Sequence, residues 1–425
     1  MTPPNQLRTC RAVPQRKALI SGASIAGPAL AFWLRRIGFE VTVVEKAPAL
    51  RGGGYPIDVR GTALEVVRRM GILPRLREAH IDLRRLTFLA ADGGEVASLH
   101  PHSVTGGVAG HDLEVRRGDL SDALYAATRD DVEFLFNDSI EALDEHEHGI
   151  DVTFRRGSPR TFDMVFGADG LHSHTRRMLF GPEEQFHRYL GYCFAVFTMP
   201  NTFGLSRETV MWNAPGRAAA LYAVGHHDDV HAFLNFAHPR PPYEAFPDPE
   251  AQRALLGTVF ADAGWEVPGM LAAMRDADDL FFDAVSQIRV PRWSDGRVAL
   301  VGDAAWAPSF LTGQGTSLAL VGAYMLAASL ADREHPSGFA AYEHHTRGFV
   351  NMNQALVGKG GATLFPTTAQ GLEERDTRLR TLAAIPRAEK RPAHSALTLP
   401  DFTGPLGPPA PTSPGSPSHP HDGAR

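Results

Sequence analysis

The segment from Lys17 to Glu45 reads KALISGASIAGPALAFWLRRIGFEVTVVE, and it decides the class of the fold. A short apolar strand over Lys17–Ile20 runs into a glycine turn. A helix near Ile25–Ile37 follows and ends at Gly38, and a second apolar strand then begins. This order of elements predicts a βαβ unit with two parallel strands.

The turn of this unit carries glycine and serine at the spacing Gly22-x-Ser24-x-x-Gly27. In a dinucleotide site the first glycine allows the tight turn, and the third allows close packing of a helix whose N-terminus faces a pyrophosphate. Glu45 stands eighteen positions after Gly27, where an acid binds a ribose diol. An ordinary glycine turn is the alternative. The candidate cofactor-binding residues here are Gly22, Ser24, Ile25, Ala26, Gly27, Glu45 and Lys46.

The composition excludes several classes of protein. A net charge of -6 gives no electrostatic footprint for nucleic acid. Cys10 and Cys193 are the two cysteines, which excludes a disulfide framework and a cysteine-based metal site and fits a reducing cytoplasm.

Two apolar stretches imitate a signal peptide and a membrane span. The first follows the basic residues from Arg11 to Lys17, and the second is uncharged from Ala304 to Ala331. Gly, Ser, Pro and Thr interrupt both, and each begins with a strand-to-helix break. We therefore interpret them as segments of a buried α/β core, with no membrane partner.

The elements typical of a nucleotide site lie at both ends of the chain, with aromatic strand-like runs such as YCFAVFTM and VHAFLNFA between them. The sequence therefore predicts a nucleotide-binding domain that a β-rich domain interrupts. The ends, rich in Pro, Gly and Ser or in polar residues, predict disorder. The predicted divisions are a disordered arm (1–16), the discontinuous nucleotide-binding domain with C-terminal helices (17–80, 101–180, 288–386), the β-rich substrate domain (81–100, 181–287) and a disordered Pro-rich tail (391–425).

A second glycine-rich turn appears late, in LVGDAAWAPSFLTGQGTSLAL at residues 300–320. A strand ends at Gly302-Asp303, the turn holds Gly313-x-Gly315, and an apolar helix starts near Thr316. The residues alone also allow a purely structural interpretation, in which Asp303 caps a helix and the glycines make a turn. The prediction is that this segment returns to the site begun at the first strand.

Four motifs in the same order resemble the class A flavoprotein monooxygenases, which have the para-hydroxybenzoate hydroxylase fold. They are ISGASIAG with Glu45, VRRGDL, GADGLHSHTRR and VGDAAWAPSFLTGQGTSLAL. The resemblance covers about 17–385. It implies an α/β fold with a Rossmann-like FAD-binding domain, an inserted β-sheet-rich substrate domain and C-terminal helices.

The resemblance also implies roles for individual residues. Glu45 would bind the adenosine ribose, and Asp303 would bind the ribityl hydroxyls. Arg117 would bind the FAD phosphates, and Arg116 is the alternative candidate for this role. The loop RGGGYPIDVRG resembles the one that shields the flavin in the small tetracycline-inactivating enzymes, which would place Asp58 near the ring. Asp169 and Arg176 would hold local structure and help to accommodate NAD(P)H. The other implied FAD-binding residues are Gly302, Pro308, Gly313, Gly315 and Thr316.

The chemistry that the resemblance implies is hydroxylation of an aromatic or polycyclic natural product. NAD(P)H would reduce FAD, and oxygen would form a flavin C4a-hydroperoxide that transfers its distal oxygen. The sequence does not single out a catalytic base. His226, His227 and His231 are candidates, but a lone histidine in a β-rich layer is more often a surface or core residue. No histidine spacing indicates a metal site.

Aromatic residues of the β-rich segment are candidate walls of a substrate pocket, although each is equally well explained as core. Trp306 stands where many family members have His or Arg, and would add an aromatic wall. The candidates are Phe197, Trp212, Tyr222, Phe233, Phe236 and Trp306.

Two other functions stay open on the sequence. One is a flavin-dependent reductase or dehydrogenase that acts without inserting oxygen, and the other is a non-catalytic flavoprotein that sequesters an aromatic ligand. The residues do not distinguish NADH from NADPH, or hydroxylation from epoxidation or Baeyer–Villiger insertion.

Overall fold

A computed structural model of the chain describes residues 15–50, 52, 54–105, 110–225, 228–384 and 391–401. The strands of these residues are β1 (Lys17–Ser21), β2 (Glu40–Glu45), β3 (Pro56–Val59), β4 (Arg85–Leu89), β5 (Glu95–Leu99), β6 (Leu113–Arg116), β7 (Glu133–Phe136), β8 (Ile140–His146), β9 (Gly149–Phe154), β10 (Arg160–Phe162), β11 (Met164–Gly167), β12 (His187–Pro200), β13 (Glu208–Ala214), β14 (Arg217–Ala223), β15 (Asp229–Ala237), β16 (Phe281–Ile288), β17 (Ser294–Asp295) and β18 (Val298–Leu300). The helices are α1 (Ala26–Arg36), α2 (Thr62–Arg69), α3 (Leu73–Glu78), α4 (His102–Thr105), α5 (Arg117–Ala126), α6 (His174–Phe180), α7 (Pro249–Val259), α8 (Val267–Asp276), α9 (Asp303–Trp306), α10 (Gly315–Leu330), α11 (His335–Gln354), α12 (Val357–Leu364) and α13 (Ala369–Ala384).

A mostly parallel sheet of six strands forms the first layer, in the order β17-β18-β11-β1-β2-β7. The pairs β1–β2, β1–β11, β11–β18 and β2–β7 are parallel, so strands from both ends of the chain point the same way. β1 and β2 bury nearly every side chain, as parallel strands covered on both faces do. The predicted βαβ unit and the α/β class are confirmed.

A sheet of seven strands forms the second layer, in the order β16-β12-β15-β14-β13-β4-β5. β4 and β5 form the hairpin around the turn Asp92-Gly93-Gly94 and join this sheet through a parallel pair with β13. Helices α7 and α8 cover one face. The other face is turned toward the loop between α9 and α10, where Ala218 of β14 packs with Leu311. We call these the helix-covered face and the loop-facing face.

The two apolar stretches of the sequence are core helices. Nearly every residue of α1 and α10 is buried, because these helices pack against each other and against neighbouring layers. Within the described ranges no helix combines the length and apolarity needed to span a bilayer.

The C-terminal tail was predicted to be disordered from residue 391, and for residues 391–401 that prediction is wrong. His394 and Leu399 are buried, and the Thr62 hydroxyl and the Tyr324 hydroxyl donate to the carbonyls of Leu397 and Pro400 at 2.9 and 2.6 Å. A few anchors and backbone acceptors suffice to dock the segment despite its composition. Residues 402–425, and residues 1–14 of the predicted arm, lie outside the described part of the chain.

This docking predicts an effect of truncation. Ending the chain at residue 390 should lower the free energy of unfolding by about 2 kcal/mol, the contribution of one buried leucine side chain. Ending it at residue 401 keeps all the contacts described above and is the matched control. Denaturant titration of both proteins measures the difference; equal midpoints would show that residues 391–401 contribute nothing to stability.

Candidate active site

The carboxyl ends of three parallel strands bring the sequence motifs to one edge of the six-stranded sheet. The turn at Gly22 follows β1, Asp169 follows β11, and Asp303 follows β18. Glu45 ends β2 at the same edge. Ligands of open α/β sheets bind outside the carboxyl ends of the strands, so this edge is the candidate active site.

The first turn needs glycine at two positions. Gly22 has φ +109°, and a β-carbon there would lie 2.5 Å from the Ala168 carbonyl oxygen. A β-carbon at Gly27 would lie 1.9 Å from the Gly22 carbonyl oxygen. The turn is therefore packed too tightly for any other residue type, and Ala26 and Gly27 start α1 directly against it.

Ser24, the residue that replaces the middle glycine, contacts the predicted arginine. The Arg117 guanidinium donates to the Ser24 hydroxyl at 2.8 Å, although the two residues are 93 positions apart. Ser24 and Ile25 stay partly exposed at the rim of the turn. The structure thus brings Arg117, and not Arg116, to this turn.

Glu45 holds the backbone around the turn. One carboxylate oxygen accepts from the Ala23 amide at 2.9 Å, and the other accepts from the Ala47 amide at 2.9 Å. Each oxygen keeps a second lone pair for an outside donor. Lys46 is exposed beside it.

Asp303 begins α9 at the centre of the edge. Desolvation raises the pKa of its carboxyl, while the charges of Arg117 and Arg176 act in the opposite direction. None of the hydrogen bonds among the described residues reaches this carboxylate. Gly302 precedes it at φ +66°, and a β-carbon there would meet Ala26 at 2.9 Å, so the end of β18 lies against the start of α1.

The second glycine turn lies beside Asp303. A β-carbon at Gly315 would be 4.0 Å from Asp303 Oδ1, and one at Gly313 would be 3.0 Å from Asp58 Oδ2. Thr316 is buried in the first turn of α10, whose free amides and positive dipole end face the same way. The structure therefore brings Asp58, the second turn and Asp303 together.

Two buried glutamines fix the loop that leads from α9 to this turn, and the sequence analysis missed both. The Gln354 amide donates to the carbonyls of Ile288, Trp306 and Ala307 at 2.9, 3.2 and 3.3 Å. The Gln287 amide donates to the Pro308 carbonyl at 3.1 Å and to the Gln354 carbonyl at 2.8 Å. No motif marks these residues, because the carbonyls that they bind are set by tertiary structure.

The Asp169 motif holds local structure. Its carboxylate accepts from the Thr175 amide at 2.9 Å and from the Ser173 hydroxyl, at the start of α6. The Arg176 side chain is fully buried and donates to the carbonyl of Ala304 at 3.0 Å, which ties this motif to α9.

His172 of the same motif bridges the two layers, which the sequence did not indicate. Its Nδ1 lies 2.8 Å from Glu183, and its Nε2 lies 3.2 Å from Asp283 of β16. Hydrogen bonds to Asp283 and then Glu183 raise the pKa of His172 to about 10, so the imidazole is a cation at neutral pH. Of the histidines considered as bases, His226 and His227 lie outside the described residues, and burial lowers the pKa of His231.

The candidate pocket aromatics divide between the two faces of the seven-stranded sheet. Tyr222 and Phe233 lie on the loop-facing face. Phe197, Trp212 and Phe236 lie on the helix-covered face, packed against α7 and α8. These three are core residues in the structure. The sequence could not show this, because the alternation along a strand defines two faces without indicating which one meets the ligand.

Trp306 is also a core residue, so it does not form the additional wall that we expected. It is 2% exposed, and its ring packs at a tilt against Trp293 and Tyr342, with centroids 4.3 and 5.8 Å away. A β-carbon at Gly322 of α10 would be 2.6 Å from the indole, so the helix is shaped around it.

One row of side chains on the loop-facing face was missed by the sequence analysis. The register sets Phe194 opposite Asp283 and Asn235, and continues through Ala218 to Asn213. Phe194 lies 4.8 Å, ring to ring, from Phe310 of the loop. Asn235 is 4% exposed, and none of the described residues donates a hydrogen bond to its Oδ1. This row offers an aromatic plane and a free acceptor opposite the second glycine turn.

The residues of the edge fit FAD by their chemistry. The turn at Gly22, the start of α1 and Arg117 suit a pyrophosphate, and Glu45 suits a ribose. The Asp303 carboxylate needs donors, as sugar hydroxyls are. Ser309 Oγ and Gln314 Oε1, near the second turn, are buried and accept no hydrogen bond from the described residues, and they would suit the polar edges of a flavin ring.

Comparisons with known proteins agree with this chemistry. The family model described as an FAD binding domain matches residues 15–353. An uncharacterized protein, Rv1260 of Mycobacterium tuberculosis (strain ATCC 25618 / H37Rv), is 44% identical over 355 residues, which are 82% of this chain and 95% of that protein. A flavin-dependent monooxygenase of an unknown prokaryotic organism is 38% identical over 369 residues, 85% of this chain and 94% of that protein.

A solved structure also matches most of this chain. The crystal structure of the tetracycline destructase Tet(55) superposes with a TM-score of 0.79 at 35% identity, covering 92% of this chain and 100% of that one. With the geometry of the sheet edge, these matches show that the chain belongs to the FAD-dependent monooxygenases and that FAD is its cofactor.

Proposed function

We propose that this enzyme uses NAD(P)H and molecular oxygen to hydroxylate an aromatic or polycyclic natural product. The observation that carries the proposal is the row through Phe194 and Asn235, which faces the second glycine turn across the loop of Phe310. A flat ring held between these groups would lie against the position of the flavin.

The pocket that this row implies is largely apolar, with few polar groups. Phe194, Phe281, Phe310 and Phe365 pack in one cluster, with ring separations of 4.8 to 6.1 Å. Phe310 and Phe281 stay 41% and 39% exposed, which is unusual for phenylalanine and suits a wall that a ligand covers. The likeness to a tetracycline destructase supports a polycyclic substrate.

The residues of this chain would bind the cofactor, orient the substrate and exclude water. Arg117 and the first turn would hold the pyrophosphate, Asp303 the ribityl chain, and Asn235 Oδ1 would accept from a phenol or amide of the substrate. Bound FAD would supply hydride acceptance from NAD(P)H and the activation of oxygen. The aromatic cluster would keep water from the reacting atoms.

The test is an absorbance spectrum of the purified protein, followed by NADH and NADPH oxidation with a panel of polycyclic phenols. We expect oxidised-flavin bands and NAD(P)H oxidation that the substrate stimulates. The oxygen consumed should equal the NAD(P)H oxidised, and the product should gain one oxygen atom. Reduction or desaturation of the substrate under anaerobic conditions would contradict the proposal in favour of a dehydrogenase. Ligand binding without faster NAD(P)H oxidation would favour a sequestering protein.

Replacing Glu45 by alanine should weaken FAD binding about 10- to 150-fold, since the loss of one hydrogen bond to a charged group costs about 1.5 to 3 kcal/mol. The Ala23 and Ala47 amides would also lose their acceptor. Fluorescence titration of the apoprotein with FAD measures the change, and Lys46→Ala, at the exposed neighbour, is the control. An unchanged dissociation constant would remove Glu45 from the cofactor site.

A further inference from the structure

A cavity of about 180 Å³ lies between the pair β3–β6 and strands β4, β13 and β14 of the seven-stranded sheet. It is separate from the row at Phe194, and its lining is rich in ionisable groups. Its volume exceeds that of a single water many times, and its ionisable side chains offer water several hydrogen-bond partners. The proposed function leaves this cavity without a role.

Asp58 and Glu114 stand directly opposite each other across β3 and β6 in this cavity. Like charges at paired positions of two strands repel. Arg60, whose side chain is 7% exposed, donates to Asp58 Oδ1 at 2.6 Å. Burial, and then the charge of Asp58, raises the pKa of Glu114 to about 7. Glu114 therefore binds a proton up to near-neutral pH, directly opposite Asp58.

Two hydroxyl groups provide a second, independent observation. Thr209 is 6% exposed and lines the cavity, and within the described part of the chain its Oγ1 has no hydrogen-bond partner. The Tyr222 hydroxyl lies close enough to Glu114 to affect its ionisation, without a hydrogen bond of standard geometry. Buried hydroxyls in a polar cavity need donors or acceptors, which water in the cavity supplies.

Asp58 of this pair also lies against the second glycine turn. Asp58 Oδ2 is the atom that a β-carbon at Gly313 would approach to 3.0 Å. The Ser317 hydroxyl of α10 accepts from the Arg60 amide at 3.0 Å and donates to the Asp58 carbonyl at 3.4 Å. Asp58 thus has one oxygen on Arg60 and the other facing the turn.

We propose that Asp58 and Glu114 share one proton and deliver it, through the cavity, to the atoms bound at the Gly313 turn. The proton leaves the Glu114 carboxyl group for Asp58 Oδ2 and then for the acceptor at the turn. Glu114 is left as a carboxylate, and solvent at the open side of the cavity restores its proton. The inference rests on the proposed function for the identity of the acceptor, because oxygen activation by flavin takes up protons.

Several ionisable groups surround the pair. Burial lowers the pKa of His102, and burial also lowers that of His394, next to Arg60, to about 4. Burial raises the pKa of Tyr222. The ionisable groups around the pair are Arg60, His80, Asp82, His102, Asp112 and Tyr222.

Infrared spectroscopy of the holoenzyme across pH tests the shared proton. We expect the band of a protonated carboxyl group that disappears as pH rises through 7. The band should be absent in Glu114→Gln and should titrate at lower pH in Asp58→Asn, where the repelling charge is gone. It should be unchanged in Glu95→Gln, at an exposed position. A wild-type spectrum without this band would overturn the proposal.

The pH profile of NADPH-dependent turnover tests the delivery. Wild-type turnover should fall above pH 7, and Glu114→Gln should be about 100-fold slower, the usual effect of losing an acid catalyst, with no such fall. The flavin absorbance of each variant confirms that it is folded and loaded. A wild-type profile in Glu114→Gln would refute the delivery. A titrating band in an enzyme without substrate-dependent turnover would support the shared proton and contradict the proposed function.

Discussion

Asp303→Ala should be purified without most of its FAD, with the affinity of the apoprotein for FAD reduced about 100-fold or more. The carboxylate stands at the meeting point of the two turns, and no donor among the described residues occupies it. Two oxygens that accept from sugar hydroxyls contribute charge-assisted hydrogen bonds of about 1.5 to 3 kcal/mol each. Their loss corresponds to a factor of about 10² to 10⁴ in the dissociation constant.

The same substitution should leave the apoprotein as stable as the wild type, or make it more stable. Desolvation raises the folded-state pKa of Asp303 above its ordinary value. A group of this kind disfavours folding once pH exceeds its unfolded-state pKa, because the buried carboxylate is then charged. At pH 7 the alanine variant is free of that cost, and Asp303→Asn should behave alike.

The two effects separate a binding role from a structural one. Fluorescence titration with FAD and denaturant unfolding of the apoprotein measure them independently, with Asp295→Ala, at an exposed position, as the control. Full flavin content in Asp303→Ala would remove Asp303 from the site. A large fall in apoprotein stability would show instead that the carboxylate supports the fold.

The sequence predicted the sheet edge because each of its parts is local. Gly22 with Gly27, and Gly302 with Asp303, each follow a strand of the same parallel sheet, and parallel strands end at a common edge. Residues distant in sequence therefore meet without any need to predict their contacts. The order of four motifs then identified the family, and the family, the fold and the FAD cofactor are confirmed.

The substrate face could not be predicted in the same way. Phe197 and Phe194 are three positions apart in β12 and lie on opposite faces, and nothing in the strand says that α7 and α8 cover the face of Phe197. The row through Phe194 and Asn235 depends on the register of five strands. Residues 391–401 pose a similar problem, since backbone carbonyls that dock on Thr62 and Tyr324 leave no mark on composition.

Gln354 and Gln287 show the same limit inside the site. Both are buried, and both use an amide to hold carbonyls of the segment between α9 and the second glycine turn. A glutamine near the end of a long helix is unremarkable in sequence. Its importance follows from three carbonyls that come from the end of β16, the end of α9 and the loop after α9.

Replacing Gln354 by alanine should lower the free energy of unfolding by about 3 kcal/mol, because the carbonyls of Ile288, Trp306 and Ala307 lose a buried donor and each such loss costs about 1 to 3 kcal/mol. Glutamate at this position should be at least as destabilising, since its carboxylate repels the same oxygens. Asn351→Ala, at an exposed position of α11, is the control. Denaturant titration gives the stability, and FAD fluorescence on heating gives the temperature of cofactor release. The loop carries Pro308 toward the second glycine turn, so FAD should be released from Gln354→Ala before the protein unfolds. Release and unfolding at wild-type values would mean that Gln354 fills space without positioning this loop.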